Sequence, residues 1–235
     1  MKQILSTIAV AALFLTACNN QPAKTEEKPA ETKAAPVMAK PAFEPYTGRF
    51  VVLTVKDFDK WDAAMQAKDS LLKASGITSS SIGRELDDDK KVVIFSTISD
   101  IQKAKDFDGS ANRKAAMKSA GATGGTTPTY WKFVMDDTSH IAQMERTLLI
   151  HHVKDYDKWK KVFDAEGMDT RKANGFYERG IARGIDEPNT VALLLVVTDA
   201  EKYKARMNSP ELKKIMEDAG VEGKPEVYTF KWVRM

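Results

Sequence analysis

The chain has 235 residues, with 36 Lys and Arg against 33 Asp and Glu and a formal net charge of +3. Acids and bases are interleaved and no basic stripe carries interspersed aromatics, which argues against nucleic acid as a partner. A single cysteine, Cys18, excludes an intramolecular disulfide framework, so stability has to come from buried apolar cores.

The N-terminus, MKQILSTIAVAALFLTAC, places one lysine ahead of an apolar run over residues 4–15. That run is too short for a permanent membrane span and has the layout of a bacterial export signal. Leu15-Thr16-Ala17-Cys18 resembles the lipoprotein signal motif, an aliphatic residue followed by small residues and a modified cysteine. The resemblance implies a signal peptide over residues 1–17, lipidation of Cys18, and a mature protein held to a membrane by that lipid, on the periplasmic side or in the outer membrane. Residues 18–46 are built from Pro, Ala, Lys, Glu and Thr. They lack the large apolar side chains that would offset the entropy of ordering, and read as a solvated tether.

Beyond the tether the chain repeats itself. VKDFDKW at residues 55–61 returns as VKDYDKW at 153–159, an offset of about 98 that rises to about 99 further on. At the larger offset Lys73 falls on Lys172, Gly76 on Gly175, Arg84 on Arg183, Asp100 on Asp199, Ser110 on Ser209, and Ala120-Gly121 on Ala219-Gly220. Agreement along the whole length points to a duplicated domain, with copies at residues 47–136 and 146–235.

In the second copy, residues 148–153 form an apolar strand that ends at Lys154-Asp155. Asp155 suits a helix N-cap, and Tyr156, Trp159, Val162 and Phe163 recur at helical spacing up to a stop at Asn174-Gly175. Residues 176–185 read as a strand with Tyr177, Arg179, Ile181, Arg183 and Ile185 on one face. Residues 190–197, TVALLLVV, read as a strand buried on both faces. Asp199 opens a helical segment that is capped afresh at Ser209-Pro210, with Leu212, Ile215, Met216 and Ala219 on its buried side. Alternation over residues 226–234 supplies a last strand. The order strand, helix, strand, strand, helix, strand is that of an α+β, ferredoxin-like domain, whose helices cover only one face of the sheet. A tandem copy supplies the partner that the other face needs.

Three stretches carry a family resemblance: H-x-V-x-D-Y-D-x-W-x-x-x-F-D at 151–164, Arg183 ahead of D-x-P-N at 186–189, and S-P-E-L-x-x-x-M-x-x-A-G-V-x-G-x-P at 209–225. They resemble the antibiotic biosynthesis monooxygenase-like proteins of the dimeric α+β barrel superfamily. The resemblance implies that two ferredoxin-like (βαββαβ) sheets close into one intramolecular barrel with helices outside, and that each unit keeps a cleft between sheet and helices. It covers nearly all of the second copy. The first copy lacks the His, the turn Pro and the S-P-E-L cap, and is expected to serve chiefly as scaffold. Superfamily members oxidise aromatic polyketides without a cofactor, degrade haem, or have no known activity, so the fold is implied more firmly than any reaction.

His151 is the residue that the repeat does not explain, because it is polar inside an apolar strand where the first copy has Leu53. Alternation puts Leu149, His151 and Val153 on one face and Leu148, Ile150 and His152 on the other. An imidazole in a small apolar cleft suits an acid/base or a hydrogen bond to a ligand; the same pattern suits a buried His bonded to a backbone carbonyl. The candidate ligand-binding set is His151, Trp159, Phe163, Tyr177 and Arg183, for a small apolar or aromatic molecule. Trp159 doubles as the anchor of its helix, Tyr177 as an ordinary strand residue, and Arg183 as a partner for acids of the following turn. His140 reads as a solvent-exposed connector residue. No cofactor or metal is expected. His151 and His152 diverge on a strand, and neither second helix offers the His that haem-degrading relatives use as axial ligand.

Overall fold

The computed structural model describes residues 43–137, 139 and 141–235. The expectations for residues 1–42, Cys18 included, and for His140 lie outside the described residues.

The first half runs β1 (Thr47–Val55), α1 (Phe58–Gln66), α2 (Asp69–Ala74), β2 (Ile77–Glu85), β3 (Lys91–Ile98), α3 (Ile101–Gly109), α4 (Ala111–Ser119), β4 (Ala122–Gly125) and β5 (Thr129–Asp136). The second runs β6 (Glu145–Val153), α5 (Tyr156–Glu166), α6 (Met168–Ala173), β7 (Phe176–Gly184), β8 (Thr190–Val197), α7 (Ala200–Met207), α8 (Pro210–Asp218) and β9 (Val221–Arg234). Each half therefore has the order strand, helix pair, strand, strand, helix pair, strand, except that two strands, β4 and β5, close the first half where the single β9 closes the second.

The repeated VKDxDKW is a helix start in both halves. Asp57 accepts from the Lys60 amide at 3.0 Å, and Asp155 from the Lys158 amide at 2.9 Å. Asp100, Asp199, Ser110 and Ser209 cap α3, α7, α4 and α8 in the same way. Each such cap stabilises its helix by about 1 kcal/mol. The single helix expected up to Asn174 is instead two, because Gly167 at φ +77° turns the chain between α5 and α6.

All strand pairs are antiparallel, in the order β3-β2-β9-β6-β8-β7-β5-β1-β4, and the sheet closes on itself because β1 also pairs with β3. Two seams join the halves. β9 lies on β2, with Arg84 opposite Lys231, and β5 lies on β7, with Lys132 opposite Arg183. Closure removes the free sheet edges that each half would have alone. It also buries the faces that the helices leave bare: Phe50, Val52, Val93, Trp131, Leu148, Ile150, Phe230 and Trp232 pack together inside. Gly48 and Gly83 let the Phe133 and Phe230 rings lie against the strand backbone, where a Cβ would overlap them. The residual space among Phe50, Phe95, Leu148 and Leu194 is about 10 Å³, no more than one water needs. The middle of the barrel is thus a packed core, while at its mouth a cavity of about 440 Å³ opens beside Phe50, Trp131, Ile150 and Tyr228.

Candidate functional site

In the second half the outward face of β6 and β8 meets α5, α7 and α8 around a cleft of about 290 Å³. The β6 alternation is as expected: Leu148 and Ile150 belong to the barrel interior, while Leu149 and His151 face the helices. Leu193 and Leu195 of β8 complete the floor; Trp159 and Phe163 of α5, Met207 of α7, and Leu212, Ile215 and Met216 of α8 form the walls.

His151 is the polar exception on that floor. It is 7 % exposed, and its Nε2 has no hydrogen-bond partner. Burial, and then the neighbouring His152, push its pKa down to about 4, so the imidazole is neutral at neutral pH. The ring stands edge-on to the Trp159 indole, which in turn stacks on Phe163 with centroids 5.1 Å apart. An unpartnered imidazole nitrogen beside two stacked aromatic rings can hydrogen-bond a flat, mostly apolar molecule.

One wall is charged yet internally neutralised. Arg171 donates through Nε and Nη2 to both oxygens of Glu178 at 2.7 Å, and its guanidinium lies 4.0 Å over the Phe163 ring. Arg206 reaches Glu166 at 2.7 Å and Glu211 at 2.8 Å. These contacts tie α5, α6, α7 and α8 together over β7 and fix the Phe163 ring. Sequence reasoning passed over Arg171, Glu178 and Arg206. The available signal was a charge where the matching positions of the first half hold Leu72, Ser79 and Phe107.

Tyr177 and Arg183 do not reach this cleft. A bulge in β7 between Glu178 and Gly180 breaks the simple alternation, so Phe176, Glu178 and Ile181 face the helices. Phe176, and not Tyr177, lines the cleft; Tyr177 instead lies under the Lys172 ammonium at 5.7 Å. The Arg183 Nε donates to the Pro188 carbonyl at 2.5 Å, and its guanidinium sits 4.3 Å over Tyr156. Arg84 does the same over Phe58 at 4.8 Å, with bonds to the Asp89 carbonyl. A clamp built in both halves belongs to the scaffold. His152 faces the barrel mouth, its Nδ1 at 3.0 Å from the Thr190 hydroxyl.

The first half is more than scaffold in shape. Its matching cleft, over Val51, Leu53, Ile82 and Ile94 and beneath Trp61 and Met117, holds about 370 Å³. Among the described residues no three His, Cys, Asp or Glu side chains gather as a metal site, and no helix is long and apolar enough to cross a membrane.

No family model matches the chain, and no curated protein does. Solved structures do share its fold. An anthrone oxidase-like protein aligns at TM-score 0.53 and 12 % identity, over 80 % of this chain and 92 % of its own. A candidate monooxygenase from Lactobacillus acidophilus aligns at 0.51 and 16 %, over 80 % and 94 %. Another, from Fusobacterium nucleatum, aligns at 0.51 and 12 %, over 81 % and 93 %. At these identities the likeness establishes the fold alone, a mixed α+β arrangement with a large antiparallel sheet.

Proposed function

We propose that this chain is an exported, lipid-anchored barrel of two duplicated repeats, residues 47–136 and 146–235, that binds a small apolar or aromatic molecule in the second-half cleft. The observation that carries the reading is the unpartnered Nε2 of His151, buried in an apolar cavity of about 290 Å³ against Trp159. A buried polar atom without a partner costs about 1–3 kcal/mol, and a ligand that satisfies it recovers that cost on binding. The signal-like residues 1–17, the lipoprotein-like Cys18 and the Pro-rich tether support the anchoring; the end-to-end repeat supports the duplication.

Turnover is the second reading, with His151 as acid/base in a cofactor-independent oxidation, favoured by the monooxygenase and oxidase names among the structures of this fold. Two points place it second. A group with a pKa of about 4 is a weak base at neutral pH. Of the other ionisable groups on the lining, Glu166 and Arg171 are held in ion pairs, and burial pushes the pKa of the Tyr203 hydroxyl up.

The test uses the full chain with anthrone and 1-naphthol as probes, read by tryptophan fluorescence and by dioxygen uptake. Saturable quenching without uptake, weakened about tenfold by His151→Leu, is the expected result. Uptake that His151→Leu abolishes would replace binding by catalysis. No saturable binding of either probe would leave a structural barrel. For the anchor, the wild-type chain expressed in a bacterium should take up labelled palmitate and Cys18→Ser should not.

A further inference from the structure

The two clefts carry their polarity at different places. When the halves are matched at offsets of about 98 and 99, Arg49, Ser96, Asp108 and Arg113 fall on Thr147, Leu195, Met207 and Leu212. The wall that is uncharged in the second cleft, with Leu195, Met207 and Leu212 on its lining, is ionic in the first.

That wall holds more positive charge than negative. Arg49 donates through Nε and Nη2 to the two carboxylate oxygens of Asp108, at 2.6 and 2.7 Å. The Arg113 Nε approaches the same carboxylate at 3.0 Å, and the Tyr130 hydroxyl donates to it at 2.5 Å. Two guanidinium groups share one acid whose acceptor sites are taken. The side chains of Arg49 and Asp108 are each 7 % exposed and that of Arg113 is 13 %. The other charges on the lining are spoken for: Asp69 pairs with Lys73, and Arg234 with Asp62. Arg113 meets the shared carboxylate through its Nε, and burial together with Arg49 disfavours its charge. A buried cation short of counter-charge is costly, and an anion that reaches it removes the cost.

A second observation points the same way. Trp61 lines the cleft, is 0 % exposed, and its Nε1–H has no acceptor. The Ser80 and Ser96 hydroxyls, 2.8 Å apart, bond to each other on the same lining. The cleft therefore offers unused donors in excess of acceptors, above a floor of Val51, Leu53, Ile82 and Ile94. Its volume of about 370 Å³ falls within the usual range for small-molecule sites.

We propose that the first-half cleft is a second, separate site that binds a small organic carboxylate with an apolar body, the carboxylate on Arg113 and the body beside Trp61. An ion cluster serving only to tie β1, α3 and α4 together accounts for Arg49, Asp108 and Arg113 as structural links. It does not account for the free indole donor. The proposal concerns a different cavity from the His151 cleft, so either can fail without the other.

The test is a titration of the full chain with 2-naphthoate and, in parallel, with its neutral analogue 2-naphthalenemethanol. The assigned indole N–H resonances of Trp61 and Trp159 report the two clefts separately by NMR. The expected result is a saturable shift of the Trp61 resonance with the acid and none with the alcohol at the same concentrations. Arg113→Leu, which installs the residue of the matching slot, should weaken the acid by about tenfold or more. Equal shifts of Trp61 by acid and alcohol would overturn the proposal, as would an acid that moves only Trp159. Should Arg113→Leu fail to fold, the comparison of acid with alcohol on the wild type decides by itself.

Discussion

The His151 imidazole stands edge-on to the Trp159 indole, ring centroids 5.7 Å apart and planes at 62°. In the first half the same two slots hold Leu53 and Trp61, so the pair is a fold contact in which one member has been exchanged for a polar group. Leucine is thus a tolerated occupant of the slot. His151→Leu should stabilise the protein by about 1–3 kcal/mol at neutral pH, because it deletes a buried nitrogen without a partner. Urea denaturation measures this; a loss of stability would mean that Nε2 is bonded in the native protein.

The same residue sets a pH dependence. Its native pKa is about 4, below the value of about 6.5 expected for the unfolded chain. As pH falls from about 6.5 to 4 the unfolded chain takes up the proton first, so His151 progressively destabilises the fold through that window. Below pH 4 both states carry the proton and the effect is complete, on the order of 3 kcal/mol. The carboxylates also titrate there, so the readout is the stability of His151→Leu minus that of wild type. That difference should widen between pH 7 and 4. A constant difference would show that the imidazole is hydrated in the native state.

The Arg171–Glu178 pair is buried on both sides, with side chains 3 % and 6 % exposed. Arg171→Leu alone should cost about 3–5 kcal/mol, because Glu178 stays behind without its counter-ion. Combined with Glu178→Ser it recreates the Leu72 and Ser79 combination of the first half, and most of the loss should return. A double-mutant cycle in urea gives the coupling, and additive losses would contradict the pairing.

Two glycine substitutions separate packing from backbone. Gly83→Ala places a Cβ into the Phe230 ring, which is fully buried, and should cost about 1–3 kcal/mol. Gly109→Ala, at the end of α3, meets nothing within 4 Å and should be neutral or stabilising by up to about 1 kcal/mol. Thermal melts of the two variants provide the comparison. A neutral Gly83→Ala would mean that the barrel interior is looser than its packing indicates.

Much of the candidate site lay in plain view. The helix caps were legible because Asp and Ser act on amides only a few residues away, and His151 stood out because its own repeat offers Leu53 for comparison. Tyr177 was misplaced because alternation assumes an unbroken pleat, and the bulge between Glu178 and Gly180 breaks it. The polar wall of the first cleft escaped notice because Arg49 and Asp108 are 59 residues apart. Each reads by itself as an ordinary surface charge.

The sequence by itself determined the helix starts, the alternation of strands and helical segments in the second half and the face on which His151 lies, since periodicity and capping are local properties of the chain. Tertiary structure alone decided that the strands close through β2–β9 and β5–β7 and that the two clefts differ in charge. Those outcomes depend on which side chains meet across long loops. There, desolvation and the match of charge to charge are settled by distance in space and not by separation along the chain.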